Sequence, residues 1–176
     1  MLSRFERFSS SVPVMQLGNP DMIDADRLRA ANISPDTLLA TDFLNHYNEV
    51  AMLMDFLGSD DEINDEILAW QPEGYVDHFQ HSGFRDRDLA IEAFALADSG
   101  LISRFEKACK ALDQKILSIQ QLIVANELSA ASEIGKTLFD NIGTINGLIV
   151  GDGPGAQHAA PDDAGISQSD IDNLFS

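Results

Sequence analysis

The chain has 176 residues and a formal net charge of −18, from 29 acidic and 11 basic side chains. That balance excludes a phosphate-neutralising nucleic-acid face and electrostatic attachment to anionic lipid, and by charge alone it suits a basic protein surface. Apolar residues make up 44%, enough for one modest core, and the single cysteine, Cys109, excludes an internal disulfide and a cysteine zinc cluster.

No run approaches the roughly 20 apolar residues of a membrane-spanning helix, and residues 1–17 lack the continuous apolar stretch of a signal peptide, so no membrane association and a cytoplasmic location are expected. Residues 1–20 mix Phe5, Phe8, Val12, Val14 and Met15 with serines and prolines, and read as a loosely ordered arm. A helical domain is expected over 21–149.

Within it, a short helix is expected near 22–31. Ser34-Pro-Asp36 then reads as a helix start, with Ser34 as cap, Pro35 in the first turn and Asp36 at the positive end of the dipole. Leu39, Phe43, Tyr47, Val50, Met54 and Leu57 recur every three or four residues, and Leu38, Met52, Leu53 and Phe56 widen that face. This predicts one central helix running to a stop at Gly58. Ser59-Asp-Asp-Glu62 reads as a capping box for a short helix ending near Trp70 and Pro72. Residues 71–85 are the least regular part of the body, and Asp86 or Asp88 starts the next helix through Leu89, Ile91, Phe94 and Leu96.

The cleanest periodicity follows. Ile102, Phe105, Cys109, Leu112, Ile116, Ile119 and Ile123 are spaced alternately by three and four residues, the pattern of a packing seam. After a break at 126–129, Ala131, Gly135, Leu138, Ile142, Ile145 and Ile149 repeat it. The pair predicts a long antiparallel helical hairpin over about 99–149, a form that often dimerises into four-helix bundles. Gly135, Gly143 and Gly147 in the second arm either permit close helix contact or simply weaken it. The fold class expected is therefore all-α.

Residues 150–165 hold four glycines, two prolines and three aspartates with no apolar period, so a flexible acidic linker is expected. A self-capping segment follows at 166–176. Ser167 and Asp170 form a Ser-x-x-Asp capping box, and Ile166 and Ile171 are placed as a hydrophobic staple. Ile171, Leu174 and Phe175 share one face. Isolated helices below about 12–15 residues are marginal in water, so the segment is expected to become helical on docking. It either binds a partner or packs on its own body as a lid, and the Gly/Pro linker favours a partner.

Ile166-Ser-Gln-Ser-Asp-Ile-Asp-Asn-Leu-Phe175 resembles the N-terminal peptide of the flagellar switch protein FliM, whose pattern is approximately Leu-Ser-Gln-x-Glu-Ile-Asp-x-Leu-Leu. Ser167, Gln168, Ile171, Asp172 and Leu174 match by identity, and Ile166, Asp170 and Phe175 by type. A similar peptide closes the chemotaxis phosphatase CheZ, again after a flexible linker. The resemblance implies docking to a phosphorylated CheY-like response regulator. Ile166, Ile171, Leu174 and Phe175 would be the apolar anchors, and Gln168, Asp170 and Asp172 would face a lysine-bearing surface. CheZ enzymes also carry an Asp-x-x-x-Gln helical pair that aligns the attacking water. Here only Asp60 has an amide four positions on, at Asn64, while Asp113 and Gln120 are seven apart. Catalytic residues are therefore unassigned.

Two further groupings stand out. Trp70, Tyr75, His78, Phe79, His81 and Phe84 form an aromatic cluster, either core or a second protein-binding surface. Asp42, His46, Asp77, His78 and His81 offer metal-ligand side chains, but without the spacing of a known zinc helix, so neither metal nor cofactor is expected.

Overall fold

A computed structural model describes residues 24–151. The predicted arm at 1–20, the linker beyond residue 151 and the predicted docking segment at 166–176 lie outside the described residues. Among the described residues every regular element is helical, and one isolated β-bridge joins Ile33 to Ala40. No helix among them is long and apolar enough to cross a membrane.

The first helix, α1 (Ala25–Ala30), is capped by Asp24, whose side chain accepts from the Asp26 amide. The central helix departs from expectation. It does not start at Ser34. Residues 31–40 form a compact double turn instead, with Asn32 and Leu38 at φ 55° and 61°. Leu38 donates to the Ser34 carbonyl and Ser34 to the Leu39 carbonyl, at 2.8 and 2.9 Å. Tertiary partners overrule the local start signal. The Tyr75 hydroxyl accepts the Ala40 amide at 2.8 Å, and the Thr37 hydroxyl donates to the Ile149 carbonyl. Both tie the turn to distant elements, which a continuous helix through this stretch would prevent.

Helix α2 spans Asn45–Leu53, flanked by 3-10 turns at Thr41–Leu44 and Met54–Phe56. The narrow predicted face holds: Leu39, Phe43, Tyr47, Val50 and Met54 are buried, and Leu57 is partly buried against the core. The proposed widening holds in part: Leu38 and Leu53 are partly buried against the core, whereas Met52 and Phe56 are exposed. Gly58, at φ 78°, turns the chain into α3 (Asp61–Ala69), with Asp60 rather than Ser59 as the cap that accepts from Glu62.

The stretch expected to be least regular contains a helix, α4 (Tyr75–His81), which Gly74 precedes. Its two turns are too short for periodicity to register, yet Tyr75 and Phe79, four residues apart, are both buried. Helix α5 is Arg87–Leu96.

Helix α6 (Ser99–Val124) is capped by Asp98, which accepts from Leu101. Six of its seven seam residues, Phe105 to Ile123, are buried. Asn126, at φ 59°, turns the chain, and the return is two helices rather than one: α7 (Leu128–Gly135) and α8 (Leu138–Val150). Both pack on α6, and α8 also packs on α2. The break falls at Lys136-Thr137. There the Thr137 hydroxyl donates to the Ile134 carbonyl at 2.8 Å, and Lys115 donates to Thr137 and Asn141 at 3.2 and 2.7 Å. All six predicted positions of the return, from Ala131 to Ile149, are buried.

Two of the three glycines of the return, Gly135 and Gly143, differ in kind. A Cβ on Gly135 would lie 2.6 Å from Met54 Cε, whereas one on Gly143 would meet nothing within 4 Å. Gly143→Ala should therefore stabilise the fold by about 0.5–1 kcal/mol through helix propensity alone. Gly135→Leu should destabilise it by about 1–3 kcal/mol through overpacking against Met54. Urea midpoints moving in opposite directions would verify the pair; equal shifts would refute the close contact.

Candidate functional site

Five residues of the aromatic cluster, Trp70, Tyr75, His78, Phe79 and Phe84, pack into the body, and His81 stands outside it. Trp70, Tyr75 and Phe79 are buried, Phe84 and His78 are part-buried, and only His81 is exposed. The cluster has no continuous exposed aromatic face because its centre is Phe43, whose ring lies within 6 Å of those of Tyr47, Tyr75, His78 and Phe105. Phe43 comes from the turn before α2, His78 and Tyr75 from α4, and Phe105 from α6.

Three polar side chains converge at one edge of this cluster. His46 sits in the first turn of α2, Glu73 just before α4, and His78 within α4. One potential ligand atom from each lies within 4.8 Å of the other two. Glu73 Oε2 is 3.5 Å from His78 Nδ1, and Glu73 Oε1 is 2.9 Å from His81 Nδ1. His46 stacks on Trp70 at 5.0 Å between ring centres, and the Trp70 indole donates to the His46 carbonyl at 3.0 Å. The His46 Nε2 atom is buried with no hydrogen-bond partner among the described residues. Burial pulls the His46 imidazole below its ordinary pKa, more than the negative charge of Glu73 raises it. Burial works to raise Glu73, but the hydrogen bond from His81 and the charges of His78 and His46 outweigh it and leave its carboxyl below the usual range.

The chain matches no family model, no curated protein and no solved structure.

Of the side chains singled out as possible metal ligands, the structure brings His46 and His78 together, places His81 beside them on the other oxygen of Glu73, and leaves Asp42 and Asp77 outside the group. The Asp42 carboxylate accepts from the Asn32 amide at 3.2 Å, and Asp77 is exposed. The residue that joins the two histidines, Glu73, carries no sequence signal. It lies in the Gln-Pro-Glu-Gly segment before α4, outside any helical spacing, and only the tertiary position of His46 makes it a partner.

The possible water-aligning pairs are all engaged elsewhere. Asp60 caps α3, and the Asn64 side-chain Oδ1 accepts the Gly58 amide at 3.0 Å. Asp113 accepts from the Tyr47 hydroxyl at 2.9 Å, and burial raises the Asp113 carboxyl above its usual range. The Gln120 amide donates to the carbonyls of Ile67 and Trp70 at 2.9 and 2.7 Å, fastening α6 to the end of α3. Cys109 is buried on the seam, and desolvation pushes its thiol up to about 12, so it is core rather than nucleophile.

Residues Ile166, Ser167, Gln168, Asp170, Ile171, Asp172, Leu174 and Phe175 lie outside the described residues.

Proposed function

We propose that this protein acts in chemotaxis or flagellar control in the bacterial cytoplasm, by binding a phosphorylated CheY-like response regulator through residues 166–175. The observation that carries this reading is the run Ile166-Ser-Gln-Ser-Asp-Ile-Asp-Asn-Leu-Phe175, in which the capping box, the staple and the apolar face coincide with the residues that match the FliM pattern. Residues 150–165 act as a leash that keeps the bound regulator close to the helical body, raising its effective concentration there. The body, ending in a helical hairpin whose outer face can pair with a second copy, is the adaptor that localises or sequesters the regulator.

The adaptor role is favoured over a CheZ-like phosphatase by a specific feature of the body. Asp60, Asn64, Asp113 and Gln120 each make hydrogen bonds that hold helices or turns together. A carboxylate–amide pair that positions water needs those same groups free to face a substrate.

The test is a titration of a peptide spanning residues 160–176 into CheY with and without its phosphoryl group. Binding on the order of micromolar, about −8 kcal/mol, is expected for the phosphorylated form and weaker binding for the other. Failure to bind either would overturn the reading. Added full-length chain should leave the lifetime of the phosphoryl group unchanged; faster loss would replace the adaptor with a phosphatase.

A further inference from the structure

We propose that His46, Glu73 and His78 form a binding site for a divalent transition metal ion, with Zn²⁺ the best-suited occupant. The site is independent of the regulator-binding reading, since none of its residues lies in the peptide.

The donor set comes first. Two imidazoles and one carboxylate are borderline ligands that suit zinc and its neighbours better than magnesium or calcium. They provide three protein ligands and leave a fourth position for water or another ligand.

The geometry is close to what such an ion needs. Two ligand atoms each roughly 2.0–2.1 Å from zinc at tetrahedral angles lie about 3.3–3.4 Å apart. His78 Nδ1 and Glu73 Oε2 are 3.5 Å apart. The whole set falls within 4.8 Å, so a contraction of at most about 1.5 Å completes it. Glu73 sits outside regular helix, in the segment between Trp70 and α4, where such a shift costs least.

A second observation points to an occupant. A buried ring nitrogen without a hydrogen-bond partner is costly, and native proteins rarely keep one. Among the described residues, His46 Nε2 has no such partner. A metal ion satisfies it without a proton. The surroundings fix the ligands from outside. His46 is held by its stack on Trp70, and the Phe43 ring meets His78 edge-on at 5.5 Å. His81 donates to the Glu73 oxygen that does not face His78, leaving Oε2 for the ion.

An ion here would join α2 to α4, elements that belong to distant stretches of sequence. Metal binding and stability are then linked, because the unfolded chain does not hold the three ligands together.

The experiment uses the full chain, stripped with a chelator and titrated with Zn²⁺ and with Co²⁺. One equivalent of Zn²⁺ should bind and raise the unfolding midpoint, and Co²⁺ should give the intense visible bands of a four-coordinate site. His46→Ala, His78→Ala and Glu73→Gln should each weaken Zn²⁺ binding by more than roughly 100-fold, beyond the usual loss for an outer partner. His81→Ala should cost at most roughly 10–100-fold, and His158→Ala nothing. Glu73→Gln keeps the shape of a part-exposed side chain, so it reports on the site even where a histidine change disturbs packing. Absence of stoichiometric Zn²⁺ binding would overturn the proposal, as would binding that survives Glu73→Gln or depends on His158.

Discussion

Phe43→Ala should cost about 3–5 kcal/mol of folding stability, at the upper end for a single truncation in a core. Phe43 is 1% exposed and its ring meets four others, from Tyr47, Tyr75, His78 and Phe105, at centroid distances of 5.2–5.7 Å. Each aromatic pair adds about 0.5–1.5 kcal/mol beyond the area it buries. The residue sits where α2, α4 and α6 meet, so the void cannot close by moving one side chain. Domains of this size have only about 5–15 kcal/mol in total, and the variant should therefore lie near the edge of folding. Urea unfolding followed by far-UV circular dichroism measures the loss. Phe139→Ala is the control: that ring is 49% exposed, and its removal should change stability by no more than about 0.5 kcal/mol. Similar midpoints for the two variants would show that the three helices do not meet on Phe43.

What was legible in the sequence follows how far each signal reaches. The seam from Phe105 to Ile123 and its return from Ala131 to Ile149 lie buried at the predicted positions because a helix packed on one side repeats its contacts every three or four residues. The helix starts read at Ser59 and Asp86 fall within one residue of the observed N-terminal positions Asp60 and Asp86, because start signals act within one turn. The failures have the opposite character. Ser34-Pro-Asp36 carries every local start signal, yet the chain turns there because Ala40 and Thr37 bond to Tyr75 and Ile149, 35 and 112 residues away. Helix α4 was invisible because seven residues give no period to count. Glu73 could not be chosen from its neighbours, since its partners His46 and His78 are set by packing. The glycine question left open by propensity was decided by Met54, a residue of another element.

The double change Leu174→Ala, Phe175→Ala should weaken binding to the phosphorylated regulator by at least roughly 100-fold while leaving the stability of the body untouched. Burial of each side chain is worth up to about 1.5–3 kcal/mol, and every 1.4 kcal/mol is a factor of ten in affinity. A micromolar complex would then fall into the millimolar range or beyond. The same variant separates docking from a lid. A segment that packs on its own body contributes to folding, so losing two apolar anchors would lower the urea midpoint; a segment that serves a partner leaves it where it was. Ser167→Ala refines the mechanism. If the segment docks as a helix, removing its cap costs about 1 kcal/mol, and affinity should drop roughly fivefold with both anchors intact. If it docks as an extended strand, the cap has no role and the affinity stays unchanged. Loss of binding in the double variant, a modest loss in the capping variant and an unaltered midpoint in both together describe a helix folded by its partner. An unaltered affinity in the double variant would remove Leu174 and Phe175 as anchors, and with them the regulator as the partner of this segment.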